Sequence, residues 1–186
     1  MNVLETDIPG VLVIEPDLHG DDRGWFMETW QERRYAEAGI RGPFVQDNMA
    51  HSRHGILRGL HLQHPHAQGK LVQVVLGEVF DVAVDVRRGS PHFGKWVGVI
   101  LSGEDHRQLW VPPGFAHGYL VTSNEAVFSY KCTEYYHPET DLSIRWDDPE
   151  IGIDWPIVGH PSLSEKDASA LLLKDVPPDR LPEYTP

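Results

Sequence analysis

From residue 11 to residue 146 the chain alternates short apolar or two-residue-periodic runs with clusters of Gly, Pro and Asp. The clearest run is Val79-Phe80-Asp81-Val82-Ala83-Val84-Asp85-Val86, a β-branched stretch interrupted by two aspartates, which reads as a strand. Residues 96–101, 109–111, 119–122 and 127–130 read the same way. Turn signals separate them at 20–24, 76–78, 87–91, 102–105 and Pro112-Pro113-Gly114. Many short strands at such spacing predict an all-β sandwich or barrel. Two short helices have start signals. Thr29-Trp30-Gln31-Glu32 has the form of a capping box opening a helix over 32–38, with Gly39 as its left-handed stop, and Ser162-Leu163-Ser164-Glu165 is a second box before 166–173. The proline-rich stretch 176–186 reads as a loosely held tail. With no repeat, low-complexity tract or boundary, residues 1–186 are expected to form one domain.

Charge narrows the partners. The chain carries 16 Lys+Arg against 28 Asp+Glu, a formal net charge of -12, which argues against a nucleic-acid grip because phosphate binding draws on clustered cations. The excess is uneven: residues 61–110 hold 5 basic and 5 acidic side chains, whereas 111–186 hold 5 and 13. An anionic small ligand is therefore best handled by the neutral middle of the chain. Cys132 is the sole cysteine, so no internal disulfide forms, as suits a reducing compartment. The first residues show no basic segment followed by an apolar stretch, and no apolar run approaches ~18 residues, so a soluble, cytoplasmic protein without a membrane segment is expected.

Candidate chemistry concentrates in Gly55-Ile56-Leu57-Arg58-Gly59-Leu60-His61-Leu62-Gln63-His64-Pro65-His66. Alternate residues of a strand share a face, so Arg58 and His61 point the same way only across a kink or bulge, and Gly59 is placed to supply one. His64-Pro65-His66, with a later histidine at His117 after Pro112-Pro113-Gly114, has the spacing of a metal site. However, the place for its carboxylate falls at Gly69, Lys70 or Leu71, and an ammonium there repels a divalent cation. His64 and His66 then read as a solvated loop, with no metal expected. A fixed cation suits another task, holding the enolate oxygen formed when a proton leaves the carbon beside a ketone. That chemistry also needs a base, a carboxylate to orient it, and an acid on the opposite face. His61, Lys70, Tyr130 and Asp167 are candidates for these roles.

Taken singly, each residue has a plainer reading: His117 as a satisfied core histidine, Tyr130 as strand packing, Tyr136 as core or surface. Asp167 and Lys166 would be helix-surface charges, and Arg23 a turn residue in a weak surface ion pair. Collinear motifs reverse that balance. The runs GILRGLHLQ (55–63), QGKLVQVVLGEVFDVAVDVR (68–87), SPHFGKWVGVILS (90–102), RQLWVPPGFAHGYLV (107–121), YKCTEYYHPE (130–139), WDDPEIGIDWP (146–156) and LSEKD (163–167) strongly resemble the dTDP-4-dehydrorhamnose 3,5-epimerase family.

The resemblance implies a cupin jelly roll (double-stranded β-helix) acting as a homodimer without metal or other cofactor. Its implied reaction converts dTDP-4-dehydro-6-deoxy-D-glucose to dTDP-4-dehydro-L-rhamnose. It implies His61 as the base at C3 and C5, Asp167 as its partner, Tyr130 as the acid and Lys70 as the cation at the C4 oxygen. It further implies that Arg23, Glu28, Gln46, Asn48, Arg58, His117 and Lys166 contact substrate, with Arg58 near the diphosphate and Tyr136 stacked on thymine. Arg23 and Glu28 would reach a partner's site. Asp141 stands where many members have Glu, which shortens its reach toward substrate, and Gln73 stands where a basic residue is frequent, removing one nearby positive charge. His51 and His54 have no assigned role. A relative acting on one centre only, as a 3- or 5-epimerase or keto-isomerase in secondary metabolism, remains an alternative. So does a metal-dependent or sugar-binding cupin.

Overall fold

The alternating runs pair into two facing antiparallel sheets in the computed structural model, which describes residues 1–185. Along the chain lie β1 (Asn2–Glu5), β2 (Leu12–Glu15), β3 (Leu18–Asp21), β4 (Gly24–Met27), α1 (Glu32–Glu37), β5 (Gln46–Arg53), β6 (Leu57–Gln63) and β7 (Lys70–Leu76). Then come β8 (Glu78–Asp85), β9 (Trp96–Ser102), β10 (Gln108–Val111), β11 (Phe115–Val121), β12 (Glu125–Cys132), β13 (Asp141–Ser143) and α2 (Glu165–Ala168). One sheet runs β1-β2-β10-β7-β12-β5, the other β13-β6-β11-β8-β9, and β3-β4 form a separate hairpin. The all-β jelly roll expected from the sequence is the fold. Among the described residues no helix is long and apolar enough to cross a membrane.

Alternation sorts the apolar side chains into three layers. Val72, Val74, Val79, Phe115, Tyr119, Ala126 and Phe128 fill the space between the sheets. Leu57, Leu60, Val82, Val84 and Leu120 point out of the five-stranded sheet and are covered by Trp155, Leu173, Val176 and Leu181. Tyr35 and Ile40, in and after α1, cover Ile14, Leu71 and Trp110 on the six-stranded sheet.

The covering layer corrects the expected tail. Val176 and Leu181 are buried, Arg88 N–H donates to the Pro182 carbonyl at 2.8 Å, and Tyr184 N–H donates to the Arg88 carbonyl at 2.9 Å. The proline-rich segment to residue 185 is thus docked by apolar contacts that its composition concealed, and Pro186 lies outside the described residues. The helix caps are also displaced. Gln31, not Thr29, caps α1, its side chain accepting from Arg34 N–H at 2.7 Å, whereas the Thr29 carbonyl accepts from Tyr35 and Gln108. The expected stop is present at Gly39, with φ +87°. Ser164, not Ser162, caps α2, because Ser162 is held extended by backbone bonds to Gly55 and Leu57. That helix ends at Ala168, and Leu173–Asp175 form a separate 3-10 turn.

Gly59 supplies the expected irregularity. Across β6 and β11, His61 faces His117 and Arg58 faces Tyr119, so three steps on β6 oppose two on β11. Gly59 has φ +140°, and a Cβ there would lie 2.5 Å from Gly118 Cα. Gly59→Ala should therefore destabilise the fold by more than ~1 kcal/mol, since both the backbone conformation and the strand approach oppose a side chain. Urea unfolding checks this, and an unchanged midpoint would contradict it.

Candidate active site

Because of the extra residue at Gly59, Arg58 and His61 both face the space between the sheets. They line a cavity of about 530 Å³, counting its open mouth, together with Ala50, Lys70, His117, Tyr119 and Tyr130. His61, Arg58, His117 and Tyr119 come from the five-stranded sheet, and Ala50, Lys70 and Tyr130 from the six-stranded one. Aromatics back it, with Phe128 stacked on Tyr119 at 4.1 Å and tilted against Tyr130 at 5.9 Å between ring centroids.

Asp167 reaches this cavity from far along the chain. The extended stretch before α2 pairs Ser162 beside the start of β6, so the one-turn helix sits against that strand. Asp167 Oδ1 lies 2.6 Å from His61 Nε2, with the carboxylate buried and the imidazole partly open. Burial pushes the Asp167 carboxyl up, but the hydrogen bond and charge of His61, with Ser164 and the Gly59 backbone, outweigh it and hold the group below the ordinary 3.8. The carboxylate is thus ionised near neutral pH. A donor at Nε2 leaves Nδ1 with a lone pair, the form a base requires.

Lys70 is buried at the start of β7, across from Cys132 on β12. Burial pulls its ammonium below the ordinary 10.5, opposed by Cys132, Asp141 and Asp81. Two positions along β12, Tyr130 is pushed up to about 12 by burial and then by Cys132 and Tyr119, so its phenol is protonated near neutral pH. His117 is buried, as its plainer reading has it, yet it also lines the cavity, with Nε2 2.9 Å from Asp81 Oδ1.

Asp81 is a site residue that motif reading passed over. Its one visible signal is a carboxylate inside an otherwise β-branched run. Tyr119 was likewise missed: its buried ring lines the cavity beside Arg58.

The remaining candidates divide into two groups. Gln46, Asn48, Tyr136, Asp141 and Lys166 gather beside the cavity. Gln46 Nε2 donates to Asn48 Oδ1 at 3.1 Å, Tyr136 Oη donates to Asp141 Oδ2 at 3.0 Å, and Lys166 pairs with the same carboxylate. Arg23 and Glu28 are not brought to this chain's own cavity. Arg23 is exposed on the β3-β4 hairpin and paired with Asp21, and Glu28 is exposed and paired with Arg34. Gln73 is corrected too. Strand alternation puts it on the opposite face of β7 from Lys70, where its Oε1 accepts from Gln108 at 3.1 Å, so it removes no charge from the cavity. His66 stacks on His137 at 4.2 Å, His51 pairs with Glu125 at the surface, and among the described residues no three His, Cys, Asp or Glu side chains converge as metal ligands would.

Known proteins resemble the chain in sequence and fold over most of its length. The family described as dTDP-4-dehydrorhamnose 3,5-epimerase matches residues 5–175. The dTDP-4-dehydrorhamnose 3,5-epimerase of Shigella flexneri is 56% identical over 90% of this chain and 93% of its own. That of Methanothermobacter thermautotrophicus is 51% identical over 94% and 95%. Among solved structures, the dTDP-6-deoxy-D-glucose-3,5-epimerase of Legionella pneumophila in complex with dTDP-4-keto-L-rhamnose is 55% identical. It superposes with a TM-score of 0.97, covering 100% of this chain and 99% of that one.

Proposed function

The chain belongs to the dTDP-4-dehydrorhamnose 3,5-epimerase family, and on that premise we propose which of its residues carry the reaction. It is an isomerase of dTDP-rhamnose biosynthesis, converting dTDP-4-dehydro-6-deoxy-D-glucose to dTDP-4-dehydro-L-rhamnose. Inversion at C3 and C5 means taking a proton from one face of the sugar and returning one to the other. The C4 ketone acidifies both carbons, so one base serves both if the ring shifts between steps. His61, oriented and electrostatically supported by Asp167, is that base. Lys70 holds the negative charge that develops on the C4 oxygen. Tyr130 is the acid. The observation that carries this reading is that His61 and Tyr130 enter one cavity from opposing sheets, so a ring between them presents one face to each.

Arg58, His117 and Asn48 hold the sugar and diphosphate in this reading. Tyr136, with Gln46, Asp141 and Lys166 around it, holds the nucleoside, its ring stacked on thymine. Arg23 and Glu28 serve the site of a second copy in a homodimer. Support for the dimer comes from the hairpin, where Trp25 is 57% and Phe26 70% exposed, and from Met49 and Val75 exposed on the six-stranded sheet. Light scattering showing a monomer would overturn it. The whole chain acts as one domain, and a cytoplasmic location is supported by its lone cysteine and nucleotide-sugar substrate.

Incubation with the thymidine-linked 4-keto sugar in deuterated water tests the reading, since deuterium at both C3 and C5 is expected and deuterium at one carbon would indicate a single-centre enzyme. Tyr130→Phe should cut inverted product by ~10²–10⁴-fold while His61 still exchanges protons on its own face, leaving deuterium in recovered substrate. Equal loss of exchange and inversion would remove Tyr130 from the acid role.

A further inference from the structure

Gln63 lies two residues beyond His61 on β6 and is only 3% exposed. Its side-chain amide is satisfied by backbone alone. Nε2 donates to the His66 carbonyl at 2.5 Å and the Tyr135 carbonyl at 2.8 Å, and Oε1 accepts from His137 N–H at 3.1 Å. One buried amide therefore ties the turn between β6 and β7 to the segment between β12 and β13, gripping the residues immediately before and after Tyr136. Tyr136 is itself held at two further points, its N–H by Gln46 Oε1 at 2.9 Å and its hydroxyl by Asp141, which faces Gln63 in the β6–β13 register. Yet Tyr136 is 52% exposed. A loop that buries a glutamine in order to hold an exposed aromatic ring still has the build of a preorganised platform for a flat ligand.

We propose that Gln63 is a positioning residue for nucleobase recognition, locking the 134–137 segment so that the Tyr136 ring is presented to the base of the nucleotide sugar. This rests on the reading of Tyr136 as the stacking residue. Gln63 touches no reacting atom, so its effect falls on nucleotide affinity and leaves turnover alone.

Gln63→Met keeps the length of the side chain and removes all three bonds. Expected results are a loss of about tenfold in affinity for dTDP and a matching rise in KM, with pyrophosphate affinity unchanged and kcat within about twofold. In a Tyr136→Ala background, Gln63→Met should produce no additional loss, because the platform it positions is gone. Should Gln63→Met fail to fold, Gln63→Asn, which retracts the amide by one methylene, gives the same split. A fall in kcat at unchanged KM, or equal weakening of dTDP and pyrophosphate, would overturn the proposal. If Tyr136→Ala weakens dTDP and the Gln63 variants do not, positioning alone is refuted. If Tyr136→Ala leaves dTDP affinity intact, the stacking reading fails and the proposal falls with it.

Discussion

His61→Ala is expected to abolish deuterium incorporation at C3 and C5 together and to lower kcat by ~10²–10⁴-fold, the usual contribution of a positioned general base. Simultaneous loss at both carbons is the informative part, because a single base is assigned to two centres. The substitution also strips buried Asp167 of the donor 2.6 Å from its Oδ1. With only Ser164 and the Gly59 backbone left to hold the buried charge, losing that partner costs roughly 1–3 kcal/mol, so His61→Ala should unfold at lower urea. His61→Gln separates the two effects, since its amide nitrogen falls where the imidazole Nε2 was and can still donate toward Asp167 while no basic nitrogen remains. Both variants should be equally inactive, with the glutamine variant the more stable. Exchange persisting at either carbon in both would show that another group removes that proton.

Lys70→Met should lose ~10²–10³-fold in kcat, comparable to removing a donor from an oxyanion site, without losing stability. Two observations separate activity from stability here. Burial already opposes the Lys70 charge, and methionine fills similar volume with nothing to desolvate. The two carboxylates that favour the ammonium each keep another partner, Asp81 in His117 and Asp141 in Lys166. Thermal unfolding of Lys70→Met is therefore expected at or above the parent temperature. A variant that loses activity and stability together would make Lys70 a structural residue. The lowered lysine value also fixes the sign of a pH effect. The active form is the protonated one, so the alkaline limb of kcat/KM, which reports the free enzyme, should fall below the ordinary 10.5.

Local features of this protein were legible from the order of residues. Short apolar or alternating runs marked the cores of β8, β9, β10 and β12, although β11 begins at Phe115, four residues before the expected run, because its first half is masked by histidine and glycine. Gly59 could be marked as the place for a bulge, given that Arg58 and His61 were to share a face of one strand. Residue types able to abstract, orient, donate and neutralise were visible too, and their assignment to roles came with the resemblance. Where the reading failed, distance along the chain was the reason. Capping-box spacing pointed to Thr29 and Ser162, but both are engaged by strands or side chains remote in sequence. The segment after residue 175 looked unstructured because its few apolar residues have no period of their own, and only the outer face of the five-stranded sheet gives them something to cover.

The sequence by itself determined the strand-forming runs, the turns, the bulge glycine and the inventory of chemistry. Tertiary structure alone decided which of those groups meet. Asp167 stands 106 positions from His61 and reaches it through a one-turn helix pinned beside β6. Asp81 becomes the partner of His117 through strand pairing, and Gln73 is removed from Lys70's surroundings by a single step of strand alternation. Side-chain direction within a strand is set locally, by sterics and by which face is apolar. Convergence across the cavity is set by strand order and register, which follow from burying all the apolar faces at once.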